Sequence, residues 1–217
     1  MNQHAFDGPA IDAVYRAIRE RRDMRHFVAT PIDPDLLRRL IGAAHAGPSV
    51  GLMQPWRFLK ISDPALRQQL HQHVDEERGL TAQALGQRAD QFMRLKVEGM
   101  RECAELLVVA LMNGRDTFVF GRRTMPQMDL ASASCAIQNF WLAARAEGSG
   151  VGWVSLFDPQ RVRELCAMPA DSLPIAILCV GHVDEFYAAP MLEMQGWQQR
   201  RAVADVVYEN TWGNAAA

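Results

Sequence analysis

The stretch RRDMR, residues 21–25, concentrates charge at the predicted end of a helix. Its guanidinium groups, Arg21, Arg22 and Arg25, can donate charge-assisted hydrogen bonds to a phosphate or to the carbonyl and nitrogen edge of a flat ring. The alternative is that a charged helix end is only a solvated surface. The stretch by itself is compatible with both interpretations.

A second stretch, GPSVGLMQPW at residues 47–56, combines loop-forming and apolar residues. Glycine, proline and Ser49 favour an irregular loop in which the backbone can approach a ligand closely. Met53, Pro55 and Trp56 add an apolar surface suited to a planar ring. The alternative is a loop that places its tryptophan in the core.

Two further stretches have weaker signals. GVGWVS, residues 150–155, puts small residues at a helix-to-strand junction, where backbone N–H groups are accessible and Ser155 supplies a hydroxyl. GWQQR, residues 196–200, ends in Arg200, which could bind a phosphate. A tight turn explains the first stretch equally simply, and a surface arginine explains the second.

Helices that could position these stretches are indicated by Asp-Pro pairs and by apolar spacing. The pairs at residues 33–34, 63–64 and 158–159 predict three helix starts. Asp129 is predicted to cap a long helix that ends at Gly148. A first amphipathic helix, which leads into RRDMR, is predicted from Ile11, Val14, Tyr15 and Ile18.

Strands alternate with these helices. Strands are predicted at residues 57–62, 105–112, 151–157 and 174–183, of which 105–112 is a continuous apolar run. This order predicts an α+β (α/β layered) fold in one domain, residues 1–217, with helices covering a mixed central β-sheet. The tail from Pro190 to Trp212 is too short to form a core and is expected to extend over something, such as a partner subunit.

Composition argues against several classes of protein. A net charge of −2 gives no electrostatic case for binding nucleic acid or an anionic membrane. No apolar run approaches the roughly 20 residues of a membrane span, and no secretory signal is visible, so a cytoplasmic protein is expected. Neither GxGxxG nor GxxxxGK[ST] occurs. His71 and His73 would point to different sides of a helix, so no metal site is expected. The cysteines lack CxxC spacing and are expected to be reduced and mostly buried: Cys103, Cys135, Cys166 and Cys179.

The order of the four stretches carries more information than any one of them. From about Val14 to Trp212 the sequence resembles the nitroreductase-like FMN flavoproteins. More narrowly, it resembles the aerobic 5,6-dimethylbenzimidazole synthases, which make the lower ligand of cobalamin, and the likeness includes the long block at residues 121–155. Ser149 and Arg201 depart from the subgroup, which usually has apolar residues at both positions.

Asp23 points to the subgroup. General nitroreductases tend to have serine here, in an R-S-x-R pattern. A carboxylate facing a flavin disfavours the anionic reduced ring and so hinders simple hydride acceptance. It is useful where a proton must be removed from the side chain of the flavin itself.

The resemblance implies a homodimer with the flavin at the subunit interface and the tail embracing the partner. In the subgroup, reduced FMN is the substrate and molecular oxygen is the oxidant. The dimethylbenzene ring and its two nitrogens become 5,6-dimethylbenzimidazole, and ribityl C1′ supplies the new ring carbon. The other four carbons leave as erythrose 4-phosphate. A separate NAD(P)H-dependent flavin reductase would supply the reduced FMN.

The resemblance also implies which residues of this chain bind the flavin. The phosphate and the polar ring atoms would be held by Arg21, Arg22 and Arg25, and Arg200 would complete phosphate binding. The pocket would be shaped by Ser49, Met53, Pro55 and Trp56. Backbone contacts would come from Trp153 and Val154.

Two residues would take part in the chemistry. Asp23 would act as base or proton shuttle near ribityl C1′, and Ser155, near flavin N5, would steer oxygen addition or relay a proton. The polar helical region 79–103 is the candidate lid that excludes water. Two other functions stay open: an NAD(P)H-dependent nitroreductase or flavin reductase that keeps its FMN, and a non-catalytic FMN carrier.

Overall fold

The computed structural model describes residues 3–214, which form two compact units that divide between Phe186 and Tyr187. The helices of the first unit are α1 (Gly8–Glu20), α2 (Pro34–His45), α3 (Pro64–Leu85), α4 (Ala89–Met93), α5 (Met128–Ala146) and α6 (Pro159–Leu165). Its strands are β1 (Trp56–Lys60), β2 (Glu105–Leu111), β3 (Gly150–Val154) and β4 (Leu173–Gly181). The α+β fold class is therefore confirmed.

The four strands form one sheet in the order β1-β2-β4-β3. All three strand pairings are antiparallel. The parallel component of the mixed sheet that the sequence predicts is limited to one bridge, between Asp23 and Val151, at the outer edge of β3. The chain leaves α1 and runs briefly beside β3, and this bridge anchors the RRDMR stretch.

The Asp-Pro pairs start helices as predicted. Asp33, Asp63 and Asp158 are the N-caps of α2, α3 and α6, and each carboxylate accepts a hydrogen bond from a backbone amide of the first turn at 2.9 Å. Each following proline occupies the first turn, where its missing N–H leaves no hydrogen bond unmade. The prediction for Asp129 was wrong in detail, since Gln127 is the N-cap of α5.

Two apolar layers enclose the sheet. On one face, α2 and α5 pack against alternate residues of β2 and β4, including Leu107, Val109 and Leu178. On the other face, the intervening residues, such as Val108 and Ile177, pack with residues of α3 and α6. Both central strands are covered on both faces, so their sequences are nearly continuous apolar runs.

Other apolar residues remain uncovered. Helix α1 forms where predicted, but its apolar residues are exposed in the single chain: Ile11, Val14, Tyr15 and Ile18. In the second unit, with α7 (Met191–Met194), none of residues 187–214 is buried.

Among the cysteines, Cys103 and Cys179 are buried but Cys135 is exposed, so the prediction that the cysteines are mostly buried holds for only two of the four. Within residues 3–214, no helix has the length and hydropathy needed to cross a membrane.

Candidate active site

Asp23 lies against the edge of the sheet and is held by its carboxylate. Its Oδ1 accepts a hydrogen bond from the backbone amide of Trp153 at 2.8 Å, and its Oδ2 accepts one from Arg25 Nη2 at 2.5 Å. Arg25 Nη2 also donates to the carbonyl oxygen of Trp153 at 2.9 Å. Together with the hydrogen bond from Met24 N to Val151 O, at 2.9 Å, these contacts fasten the RRDMR stretch to β3.

The pKa of the Asp23 carboxyl is raised above its ordinary value. Desolvation by the surrounding residues is the largest cause, and it outweighs the positive charge of Arg25 and the hydrogen bond from Trp153. The side chain still keeps 42% of its surface exposed in the single chain. A carboxylate with a raised pKa that reaches solvent is suited to accepting a proton from a bound substrate.

Gly152 makes this close contact possible. A methyl group on Gly152 would lie 2.2 Å from the carbonyl oxygen of Met24 and 3.0 Å from Arg25 Nη1. No side chain fits in that space, so only glycine lets the RRDMR stretch lie directly on β3. The sequence indicated small residues here, but it did not show which of the two glycines in GVGW meets the backbone.

Arg21 belongs to an aromatic group beside Asp23. Its guanidinium carbon lies 5.0 Å from the centroid of the Trp141 ring, and the rings of Trp141 and Trp153 are 6.5 Å apart, tilted by 41°. The Trp141 indole N–H donates to the carbonyl oxygen of Arg22 at 3.0 Å. Sequence analysis did not identify Trp141 as a residue next to the site, since it lies in the middle of the long helix that precedes β3.

The three arginines have different surroundings. Arg22 Nη1 donates to the carbonyl oxygens of Arg19 and Arg21, at 2.7 and 2.8 Å, and so caps the carboxyl end of α1. Arg25 is buried and holds Asp23. Arg21 is half-buried over an aromatic ring. Of the three, Arg21 is in the best position to meet a ligand.

The three predicted site residues at the carboxyl end of β3, Trp153, Val154 and Ser155, differ in how much of each is exposed. Ser155 directly follows the strand and is exposed, two residues and so about 7 Å along the chain from Trp153. Val154 has its side chain in the core. Both backbone polar groups of Trp153 already have hydrogen bonds within the chain. A ligand would therefore meet its half-buried ring, or the second lone pair of its carbonyl oxygen, more readily than its N–H group.

The second predicted stretch is more buried than the pocket interpretation required. Met53, Pro55 and Trp56 are buried, and Trp56 Nε1 donates to His45 Nδ1 at 3.3 Å. For Trp56 the alternative interpretation, a loop that places its tryptophan in the core, is correct. Ser49 is half-buried, and its Oγ accepts a hydrogen bond from Gln54 N at 3.0 Å.

The structure separates the predicted residues into two groups within one chain. Asp23, Trp153 and Ser155 lie at the β3 edge, whereas the Ser49–Trp56 stretch leads into β1 at the opposite edge. Three strand spacings of about 4.8 Å put these edges about 14 Å apart. The second unit carries Arg200, which is exposed there.

A third polar cluster was not predicted. Asp129 is buried, and its Oδ2 accepts hydrogen bonds from Arg115 Nε at 3.0 Å and Arg122 Nη2 at 3.1 Å. It therefore supports the loop after β2, while its Oδ1 accepts a hydrogen bond from the Leu130 amide in the first turn of α5 at 2.6 Å. The buried His73 of the HxH pair accepts a hydrogen bond from Asp158 N at 2.8 Å, whereas His71 lies 3.5 Å from Glu98. The two histidines thus have separate partners.

The sequence and the fold of this chain are similar to those of known proteins. The sequence profile of the Nitroreductase family matches residues 18–182. The chain belongs to this family, whose members are oxidoreductases, and is an enzyme.

Two curated relatives narrow the comparison. A protein of Rhodospirillum rubrum named 5,6-dimethylbenzimidazole synthase is 40% identical over 201 residues, covering 90% of this chain and 94% of the relative. A protein of the same name from Rhodobacter capsulatus is 36% identical over 198 residues, covering 89% and 95%. The predicted resemblance to this subgroup is confirmed.

Solved structures support the fold. Iodotyrosine deiodinase bound to FMN and 3-iodo-L-tyrosine superposes with a TM-score of 0.72 at 22% identity, covering 92% of this chain and 100% of that one. The NADPH:FMN oxidoreductase of Vibrio harveyi, in complex with NAD+, gives 0.69 at 20% identity, covering 93% and 79%. The nitroreductase-like fold predicted from the sequence is confirmed.

Proposed function

We propose that the chain converts reduced FMN and molecular oxygen to 5,6-dimethylbenzimidazole, for the lower ligand of cobalamin, and to erythrose 4-phosphate, with the pyrimidine ring of the flavin released as a third, oxidised fragment. The observation that carries the proposal is Asp23, a carboxylate with a raised pKa, which is hydrogen-bonded to β3 at Trp153, two residues before Ser155. The named relatives, 36–40% identical over nearly their whole length, support the same activity. We place the enzyme in the cytoplasm, in keeping with its unpaired cysteines.

The residues at the β3 edge suit FMN. The half-buried ring of Trp153 offers apolar surface, the Arg21 guanidinium, held over the buried Trp141, offers charge, and the Ser155 hydroxyl offers a hydrogen bond. A flavin combines the matching features, which are a flat ring with a polar edge and a phosphate. Bound reduced FMN would supply the electrons that reduce oxygen. It would also supply the carbon and nitrogen atoms of the product.

Within this proposal Asp23 removes a proton from the ribityl C1′ of the flavin. Its carboxylate is oriented by the Trp153 amide and by Arg25, so one oxygen lone pair can face the ribityl C1′ without a search of rotamers. Ser155, about 7 Å along the chain from Trp153, relays a proton at flavin N5. The region 79–103 packs against the RRDMR stretch at Gly99, where a methyl group would lie 2.9 Å from the Arg25 carbonyl oxygen, and would exclude water from the site.

We propose further that the complete site forms between two copies of the chain. The two groups of predicted residues lie about 14 Å apart across the sheet, and α1 and residues 187–214 leave apolar side chains uncovered. A second copy would bring its Ser49–Trp56 stretch to the Asp23 group of the first. The second unit, with Arg200, would complete the domain as an arm over the partner.

Mass spectrometry of products tests the activity. FMN reduced under nitrogen is mixed with the protein and then with air, without NAD(P)H, and Asp23→Asn is the matched control. We expect the flavin spectrum to disappear and one 5,6-dimethylbenzimidazole to form per FMN. With NAD(P)H and FMN but no separate flavin reductase, we expect little turnover. Steady NAD(P)H oxidation with intact FMN would select a nitroreductase, and FMN binding without either reaction would select a carrier.

Mixing two inactive variants tests the shared site. In a heterodimer of Asp23→Asn with Gly51→Glu, one site would contain both defects and the other none. Random mixing after refolding would therefore restore about a quarter of the parental activity. If each site comes from one chain, every site in the mixture keeps a defect and activity stays near zero. Light scattering measures the oligomeric state of each sample, and a monomer with full FMN affinity would contradict the dimer.

A further inference from the structure

Phe120 is a large apolar side chain that the single chain leaves 84% exposed. It lies on the loop after β2 and touches the Ser49–Trp56 stretch. A methyl group on Gly51 would be 3.2 Å from the Phe120 carbonyl oxygen and 3.5 Å from its Cβ and Cδ1. In return, a methyl group on Gly121 would lie 2.4 Å from Val50 Cγ2. A glycine in each loop therefore lets the two loops interlock.

The backbone beside Phe120 is strained. Gly51, Leu52 and Gln54 have φ angles of 53°, 52° and 48°. A leucine rarely adopts this left-handed conformation, and Leu52 does so with its side chain 79% exposed. Hydrogen bonds from Val50 N to Ser132 Oγ and from Gln54 N to Ser49 Oγ, both 3.0 Å, hold the conformation. Strain maintained in this way concentrates at ligand-binding positions.

The loop that carries Phe120 is held in place by the cluster of Asp129, Arg115 and Arg122. Arg122, which is buried, binds Asp129 and the carbonyl oxygen of Arg115, and Arg115 binds Asp129 together with the carbonyl oxygens of Met112 and Asp171. Burying these charges brings a desolvation penalty, so the cluster is better explained by the position it imposes than by stability. Phe120 is exposed and yet held in a defined place.

We infer that Phe120 forms one wall of the flavin site and packs its ring against the isoalloxazine of bound reduced FMN. The ligand in this inference rests on the proposed function. An exposed apolar ring on a rigid support indicates a binding surface, and two aromatic systems gain from offset stacking beyond the area they bury. In the site shared by two copies, Phe120 comes from the copy that supplies the Ser49–Trp56 stretch.

Equilibrium dialysis under nitrogen tests the assignment. FMN reduced before dialysis is the probe, and bound flavin is measured after reoxidation. We expect Phe120→Ala to weaken binding about tenfold, the loss of one good aromatic contact, and Phe120→Tyr to stay within about twofold of the parent. Val119→Ala is the matched control, because Val119 is the adjacent residue and is also exposed, at 61%. It should bind like the parent.

Three results would overturn the inference. They are parental binding by Phe120→Ala, absence of flavin binding by the parent, and a Phe120→Ala chain that becomes monomeric and regains affinity at high protein concentration. The last would place Phe120 in the subunit interface. If the alanine variant does not fold, Phe120→Leu, which keeps the volume without the ring, takes its place. If the parent binds flavin but forms no benzimidazole, the proposed function is wrong and the assignment of Phe120 to the flavin site still holds.

Discussion

Asp23 Oδ1 accepts its hydrogen bond from the backbone amide of Trp153 at 2.8 Å, although the two residues are 130 positions apart in the sequence. This bond uses the outward-facing N–H group of edge strand β3, which a sheet neighbour would otherwise pair. Asp23 is therefore part of the sheet edge as well as a candidate base. Changing its charge and changing its position can be separated experimentally.

Asp23→Asn separates them, because asparagine keeps the volume and an acceptor for the Trp153 amide. We expect binding of reduced FMN close to that of the parent and a fall in the rate of benzimidazole formation of about a hundred- to ten-thousandfold, as for removal of a general base. Ser155→Ala should lower the rate less, because water can replace a hydroxyl relay. Rapid mixing of the enzyme–flavin complex with oxygen measures both rates. Parental rates in Asp23→Asn would remove Asp23 from the role of base.

The pH dependence follows from the raised pKa of Asp23. A base must be ionised, so kcat/KM should fall tenfold per pH unit below an apparent pKa that lies above 3.8, the ordinary value for aspartate. The positive charge of Arg25 lowers this pKa, so Arg25→Gln should move the acidic limb to higher pH. Arg21→Gln should move it in the same direction but less, since its charge has the weaker effect. A limb that moves to lower pH in either variant would contradict the assignment.

Gly152→Ala tests the close contact of Met24 with β3. Its methyl group would lie 2.2 Å from the Met24 carbonyl oxygen, so the RRDMR stretch must move away from the strand. We expect the free energy of unfolding to fall by about 1–3 kcal/mol and flavin binding to be lost. The matched control is Gly42→Ala in α2, where nothing lies within 4 Å. It should leave binding unchanged and stabilise the chain by up to about 1 kcal/mol. Urea titration measures both variants.

Thiol labelling tests the burial of the cysteines. Cys135 is exposed and should react first with iodoacetamide at pH 8. Burial raises the pKa of Cys166 to about 11, so at pH 8 only about one molecule in a thousand carries its thiolate. Labelling of Cys166 should therefore be slow and should quicken about tenfold at pH 9. Cys103 and Cys179 should stay unlabelled until the protein unfolds. Equal rates for Cys135 and Cys166, read by peptide mass spectrometry, would contradict this arrangement.

Local rules were sufficient for most of the fold. The three Asp-Pro pairs start helices because the carboxylate caps the first turn and proline needs no hydrogen bond there. The run at residues 105–112 forms a strand because a strand covered on both faces needs apolar residues at every position. The family resemblance rested on the order of short stretches, and order along the chain is fully present in the sequence.

Contacts between distant segments decided the rest. Periodicity showed that α1 is amphipathic, but one chain supplies nothing to cover Tyr15 or Ile18. Residue type alone could not distinguish the tryptophan that enters the core, Trp56, from the half-buried Trp153 beside Asp23. Nor could it show that Asp129 neutralises two arginines beneath Phe120. Burial and charge pairing depend on which segments meet across the sheet, and a linear pattern of residues does not contain those distances.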